Sequence, residues 1–163
     1  MPNSLVERIV DYRALALEKL KALEPVALLL GRLAVGLVFM STGWGKVHDL
    51  EKVTQFFVTL GIPMPGLNAV VVGYTELLGG TALVLGVLTR LAAIPLIVSM
   101  VVAIATAKKD ELGKSEGVSK LFTLFGFDEW TYLLVMVMIV ILGPGRYAID
   151  SILAKRLEAE KKT

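Results

Sequence analysis

Apolar residues form four long runs along the chain, and polar segments separate them. The runs cover residues 26–44, 67–88, 91–107 and 131–142. A helix rises about 1.5 Å per residue, so crossing a hydrocarbon core of about 30 Å takes about 20 residues. The first three runs approach that length, whereas the fourth covers about 22 Å even when it is extended to residues 129–143. The pattern predicts four membrane-spanning helices, the last of them short.

The segment before the first run is amphipathic. Between residues 3 and 24, apolar side chains recur at helical spacing with arginines and lysines between them, as in a helix that lies in the membrane interface. A soluble helix packed against a partner is the alternative interpretation. Ser4 and Glu7 fit a capping box at its start, and Pro25 is expected to open the first span because proline is tolerated in a first helical turn.

Other segments are also expected to lie at the membrane surface. Residues 48–61 and 118–127 combine apolar and aromatic side chains that suit the headgroup boundary. Residues 146–163 have the pattern of a second amphipathic helix with a charged tail. The predicted organisation is an N-terminal amphipathic helix (1–24), a four-helix transmembrane domain (25–145) and the C-terminal helix with its tail (146–163).

The composition agrees with an all-α integral membrane four-helix bundle with flanking amphipathic interfacial helices. Of the 163 residues, 55% are hydrophobic, and the mean hydropathy of +0.71 is too high for an ordinary soluble domain. The lipid bilayer is therefore the first predicted partner. Because the chain has no cysteine, disulfides, thiolate catalysis and cysteine-ligated metal sites are excluded. The net charge of +2 comes without a basic stripe, so no nucleic acid partner is expected.

The distribution of basic residues predicts the orientation. With four spans, both termini and the turn after the second span lie on one side of the membrane. That side has ten lysines and arginines and the other side has six, and the positive-inside rule then places both termini in the cytoplasm. The expected location is the inner (cytoplasmic) membrane. The ten are Arg8, Arg13, Lys19, Lys21, Arg90, Arg146, Lys155, Arg156, Lys161 and Lys162, and the six are Lys46, Lys52, Lys108, Lys109, Lys114 and Lys120.

Polar and small residues share one face on each of the first two spans. Glu76 lies near the middle of the second span, where a carboxyl group among lipid tails costs several kcal/mol and should face protein or trapped water. Glycines permit close helix approach, so these faces are expected to turn inward. The residues on them are Arg32, Gly36, Gly43 and Lys46 in the first span and Gly73, Glu76 and Gly80 in the second, with Tyr74 predicted as a further polar residue of the interior.

The partner of Glu76 is left open by the sequence. A direct ion pair with Arg32 requires two extended side chains that lean apart, and the alternative is a water-bridged or purely structural arrangement in which Arg32 snorkels to the surface. Without Arg32, Glu76 is expected to be protonated because burial disfavours the charged form. It would then donate a hydrogen bond either to a quinone carbonyl or to a backbone carbonyl of a neighbouring helix.

Other chemistry has little support in the sequence. His48 is the only histidine and is interpreted as a solvated surface residue, with a proton shuttle as the alternative. One histidine with scattered carboxylates does not indicate a metal site. No phosphate loop, dinucleotide fingerprint or nucleophile with an adjacent base is present, so no catalytic residue is predicted. Arg146 and Asp150 are expected to fix the exit of the last span.

Several stretches resemble the DoxX family of small four-helix membrane proteins. They include residues 31–34, 60–63 and 76–80, the last leading into the segment 85–93, and finally 143–147 with Asp150. The likeness covers residues 26–150. Many members carry a histidine at the end of the third helix, where this chain has Thr106, Ala107 and Lys108, whereas Glu129 matches an acidic residue often found before the last helix.

The resemblance implies a four-helix membrane bundle and a role beside a quinone-linked oxidoreductase, because some relatives are small subunits of such complexes. The leading hypothesis is a non-catalytic membrane subunit or anchor that contacts quinone and has no intrinsic cofactor. The alternative is a binding or transport protein for a small hydrophobic ligand, with Glu76 and Arg32 lining its cavity. An enzyme acting on quinone or a small sulfur species ranks third. A redox-enzyme subunit and a second copy of the chain are the protein partners that the sequence leaves open.

Overall fold

The computed structural model describes residues 5–161, the side chain of Val6 aside, so Ser4 of the predicted capping box lies outside the described residues. Within this range the chain forms α-helices and no strand. The helices are α1 (Leu5–His48), α2 (Leu50–Thr59), α3 (Pro65–Leu85), α4 (Thr89–Thr106), α5 (Lys109–Gly113), α6 (Gly117–Phe125), α7 (Asp128–Leu142) and α8 (Ile149–Glu160).

Three helices of the described part are long and apolar enough to cross a membrane. They are α1, α3 and α4, and a fourth crossing arises if α6 and α7, which are bent by 68°, act together as one broken span. The outer faces of these helices carry exposed large apolar side chains, among them Leu30, Leu78 and Val98. Such surfaces suit contact with lipid. The predicted all-α membrane bundle is confirmed, and α7 alone is short, with 15 residues.

The helix start predicted at Pro25 is absent. Instead α1 continues through Pro25 as one helix of 44 residues. Proline removes one backbone hydrogen bond and crowds the preceding turn, but it does not always end a helix. Lysine, alanine, leucine and glutamate surround it, and these are among the strongest helix formers. The amphipathic N-terminal segment and the first span are therefore parts of the same helix.

Two pairs of helices form the bundle core. The most extensive contacts join α1 to α3 and α4 to α7. Phe39 of α1 meets Tyr132 of α7 edge to face, with ring centroids 5.9 Å apart, and so links the two pairs. Met136 is fully buried between them. The buried core consists of Val35, Phe39, Leu83, Ala93, Leu96, Met100, Met136 and Ile139.

Glycines allow α1 and α3 to cross with their backbones in contact. A Cβ atom on Gly43 would lie 2.7 Å from Cα of Leu77, and one on Gly80 would lie 2.8 Å from the carbonyl oxygen of Gly36. Neither backbone can move aside as a flexible side chain would. Gly73 faces Val47 and Lys46 on the same crossing. The crossing brings polar side chains of α1 next to α3.

Candidate functional site

Glu76 of α3 is buried against two polar side chains of α1. Its side chain is 4% exposed and forms an ion pair with the ammonium group of Lys46. The hydroxyl group of Thr42 donates to Oε2 of Glu76 at 2.9 Å. Thr42 and Lys46 are four residues apart, so they lie on one face of α1. We call these three residues the Glu76 site.

Lys46 connects the Glu76 site with the molecular surface. Its side chain is 27% exposed, in contrast to that of Glu76. Gly73 makes room for its stem, because a Cβ atom at Gly73 would lie 3.4 Å from Cβ of Lys46. An ammonium group has three N–H donors, and Glu76 accepts from one of them. The site thus combines a buried carboxylate with a cation that ligands or protein partners can reach.

Arg32 belongs to a different site at the end of α3. It is 2% exposed, and its two terminal nitrogens donate to the carbonyl oxygens of Pro144 and Tyr147, each at 3.4 Å. Its guanidinium group occupies the space that a side chain on Gly86 would need. Gly86 is ten residues beyond Glu76, a rise of about 15 Å along α3.

The direct Arg32–Glu76 ion pair is therefore not formed, and neither residue lines the two clefts described for residues 5–161. Arg32 does not snorkel to the surface either, because the loop between α7 and α8 folds over it and supplies carbonyl acceptors. Glu76 takes Lys46 as its partner instead.

Asp150 closes the turn between α3 and α4. Its carboxylate accepts from the backbone N–H groups of Leu88 and Thr89 at 2.8 and 2.9 Å, and from the Thr89 hydroxyl group at 2.9 Å. Its own N–H donates to the carbonyl oxygen of Gly86 at 2.9 Å. We call Arg32, Gly86, Leu88, Thr89 and Asp150 the Asp150 cluster. It joins three otherwise separate parts of the chain at one end of the bundle.

The cluster favours the ionised form of Asp150. Burial raises the pKa of this carboxyl group, but the hydrogen bonds from Thr89 and Leu88 and the charge of Arg32 lower it more, so the pKa of Asp150 lies below its usual value. The carboxylate also serves as the N-terminal cap of α4, a helix whose preceding residue Leu88 has a left-handed conformation and offers no capping side chain. Asp150 therefore ties the segment after α7 to the turn between α3 and α4.

Three other predicted residues lie away from the Glu76 site. Tyr74 is 46% exposed in a groove between α3 and α4, because it follows Gly73 by about 100° around the helix and turns away from α1. The assignment of Tyr74 to the interior is therefore corrected. His48 is exposed and its ring lies against Trp44, with Nδ1 2.9 Å from the Trp44 carbonyl oxygen. Arg146 is exposed in the turn before α8.

A second polar group, not predicted as a site, lies between α4 and α7. Lys108 approaches Glu129 at 3.7 Å, and its ammonium group lies 5.1 Å from the ring centroid of Phe127. The Glu129 atom Oε2 and the Trp130 atom Nε1 are buried and have no hydrogen-bond partner among residues 5–161. The sequence indicated Glu129 as an acidic residue before the last helix, but helical spacing could not identify Lys108 as its partner.

Comparison with known proteins identifies relatives over most of the chain. The sequence profile of the DoxX family matches residues 27–109. An uncharacterized membrane protein of Mycobacterium tuberculosis is 35% identical over 140 residues, which are 83% of this chain and 86% of that protein. The inner membrane protein YqjF of Escherichia coli is 30% identical over 137 residues, 84% of this chain and 99% of YqjF.

A further relative has a name that refers to chemistry. The protein named "Putative oxidoreductase CatD" of Bacillus subtilis is 31% identical over 83 residues, which are 51% of this chain and 60% of CatD. No solved structure matches the chain significantly.

Proposed function

The chain belongs to the DoxX family of membrane proteins, and from this premise we propose that it is a membrane subunit or anchor of a quinone-linked oxidoreductase. The name of CatD supports a link to redox chemistry, although CatD matches only half of this chain. In this proposal the partner protein carries out the electron transfer. This chain anchors the partner in the bilayer and provides the Glu76 site.

The Glu76 site is the observation that carries the proposal. A charged pair inside an apolar bundle is costly to desolvate, and ionisable residues at such depth commonly mark ligand or proton pathways. Lys46 is partly exposed and retains donor capacity beyond its bond to Glu76. These properties suit contact with a carbonyl oxygen that arrives from the lipid phase.

A quinone head group fits the donors of this site. Lys46 would donate to a quinone carbonyl oxygen, and Glu76 together with Thr42 would hold the ammonium group in place. A quinone in the bilayer carries electrons and protons between membrane enzymes. In this proposal the redox group belongs to the partner protein.

The experiment is purification of the tagged chain in mild detergent, followed by assay of quinone reduction. We expect an oxidoreductase subunit in fixed stoichiometry, identified by mass spectrometry and by the absorption of its redox group. Glu76→Gln should lower the rate of quinone reduction by the purified complex. Glu51→Gln, which changes an exposed carboxylate of α2, is the matched control and should not. Recovery of the chain alone, or equal rates in both variants, would reject the proposal.

The alternative function, binding or transport of a small hydrophobic ligand, requires a different cavity from the one predicted. Arg32 contacts the loop after α7, whereas Glu76 is paired with Lys46. A cleft of the described residues lies between α4, α5, α6 and α7 instead.

A further inference from the structure

A cleft opens where the connection between α4 and α7 folds back on these two helices. Its volume is about 940 Å³. Apolar side chains of the two helices and of α6 line it, including Val101, Ile104, Leu124 and Leu133. The exposed face of α6 carries Val118, Leu121, Phe122 and Phe125, a pattern typical of a helix at the membrane surface. The cleft therefore lies at the level where acyl chains meet headgroups.

The cleft is basic. Lys109, Lys114 and Lys120 line it, and Asp110 is the acidic residue among the lining side chains. The neighbouring Lys108 and Glu129 are paired with one another and add no net charge. A ligand in the cleft thus meets two more positive than negative charges on its walls.

Trp130 contributes a donor that has no acceptor within the described residues. Its indole N–H group is buried, and its ring lines the cleft. The Phe125 ring meets the Trp130 ring edge to face at 5.6 Å, which holds the indole in position. A buried donor without an acceptor is costly, and an anionic oxygen at this position would satisfy it.

We propose that this cleft binds an acidic phospholipid. One acyl chain lies on the apolar floor, and the phosphate group lies among Lys109, Lys114 and Lys120, within reach of the Trp130 donor. The apolar floor favours a lipid over a soluble anion. The lysines favour an acidic headgroup over a zwitterionic one, because the ammonium group of a zwitterionic lipid would face the same lysines. Lysine side chains close to a bilayer attract anionic headgroups through their charge.

The two tryptophans of the chain provide a direct test. In a Trp44→Phe background, Trp130 is the single fluorophore, and the protein is reconstituted into phosphatidylcholine vesicles. In one set of vesicles a fixed minor fraction of the lipid is brominated phosphatidylglycerol. In a second set the same fraction is brominated phosphatidylcholine. Because each lysine near an anionic lipid contributes about a fivefold preference, we expect much stronger quenching by brominated phosphatidylglycerol. Equal quenching by the two lipids would overturn the proposal.

Two further experiments identify the residues that bind the anionic group and show whether that group belongs to a lipid or to free phosphate. The triple variant Lys109→Gln, Lys114→Gln and Lys120→Gln should lose the preference, while Lys52→Gln, an exposed lysine of α2 outside the cleft, should keep it. A triple variant that retains the preference would overturn the proposal. Inorganic phosphate should leave the quenching unchanged. Relief of quenching by phosphate would show a site for free anions and would reject the lipid.

This test is independent of the proposed redox role. It uses the isolated chain in vesicles and needs no partner enzyme. The Trp130→Phe variant, examined for retained phosphatidylglycerol by native mass spectrometry, tests the indole donor with the ring preserved. Trp44→Phe is its control, because Trp44 is 59% exposed on α1 and lies outside the cleft. Equal lipid retention by the two variants would remove Trp130 from the proposed site.

Discussion

Glu76 and Lys46 form the buried charge pair of the α1–α3 crossing, and loss of either partner leaves the other without compensation. We expect Lys46→Met to lower the free energy of unfolding by about 3 kcal/mol, the lower end for a broken buried pair. Lys46 is partly exposed, so the larger values of that range are not expected. Unfolding in detergent mixtures, followed by circular dichroism, measures the change.

The double variant separates the pair from general effects of the substitutions. With Lys46→Met and Glu76→Met together, neither charge of this pair remains, and most of the lost stability should return. Lys52→Met, at an exposed position of α2, is the control for replacing a lysine. A double variant as unstable as Lys46→Met alone would contradict a coupling between the two side chains.

The contacts of Asp150 predict that the stability of the fold decreases at acidic pH. Because the folded protein holds the pKa of Asp150 below its usual value, this carboxylate stabilises the fold above its unfolded pKa, and the contribution is lost as the pH falls through the folded pKa. Asp150→Asn should cost about 1–2 kcal/mol near neutral pH, as for a lost helix cap. The difference from the original protein should shrink in acid.

Thermal unfolding over a series of pH values measures this difference. Asp11→Asn, a change at an exposed position of α1, is the matched control and should leave the pH dependence intact. If the gap between the original protein and Asp150→Asn stayed constant down to strongly acidic pH, the carboxylate would not be the source of the stabilisation.

Helical spacing could predict the inward faces of the two spans but not the pairing of their charges. Arg32 and Lys46 lie on one face of α1 in the sequence, yet Lys46 reaches Glu76 and Arg32 does not. Periodicity defines the direction of a side chain around its helix, whereas the pairing depends on the axial register of two helices. The acceptors of Arg32 come from the loop after α7, more than a hundred residues away, and no local pattern predicts that contact.

At the scale of elements, two glycines of α1 provide a matched pair. A side chain on Gly43 would collide with the backbone of α3 at Leu77, whereas nothing lies within 4 Å of a Cβ atom on Gly45. Gly43→Ala should therefore lower stability by about 1–3 kcal/mol through overpacking. Gly45→Ala should raise it by up to about 1 kcal/mol, because alanine is the better helix former. Unfolding of the two variants in detergent under identical conditions measures the sign of both stability changes. Destabilisation of equal size in the two variants would contradict the close crossing of α1 and α3.

The observed helix boundaries agree with the predicted ones at positions where glycine or proline ends a helix. The predicted second and third spans correspond to α3 and α4, and Gly86 ends α3 in a left-handed conformation. Pro25 misled the prediction because the strong helix formers around it continue the helix despite the hydrogen bond that proline removes. A surface segment at 118–127 followed by a separate span was predicted, whereas the 68° angle between α6 and α7 was not, since it depends on how the connection packs.

At the scale of the whole molecule, the number of crossings decides the arrangement of the termini. Helices α1, α3 and α4 can each span a membrane, whereas α7 has 15 residues and reaches about 22 Å. Four crossings place both ends of the chain on the same side, and three crossings place them on opposite sides. Local thinning of the bilayer is the expected accommodation of a short fourth span. The surplus of basic residues on the side of the termini favours the cytoplasm for both.

The absence of cysteine makes this arrangement directly measurable. We propose single substitutions at exposed positions of α1, α2 and α8, namely Glu18→Cys, Gln55→Cys and Glu158→Cys, with labelling of intact cells by a membrane-impermeant maleimide. Four crossings with cytoplasmic termini predict that only position 55 is labelled before the cells are opened. Labelling at 158 as well as 55 would mean three crossings, because α7 would then fail to return the chain to the cytoplasm. Labelling at 18 and 158 but not 55 would reverse the orientation, and detergent-opened cells should react at all three positions.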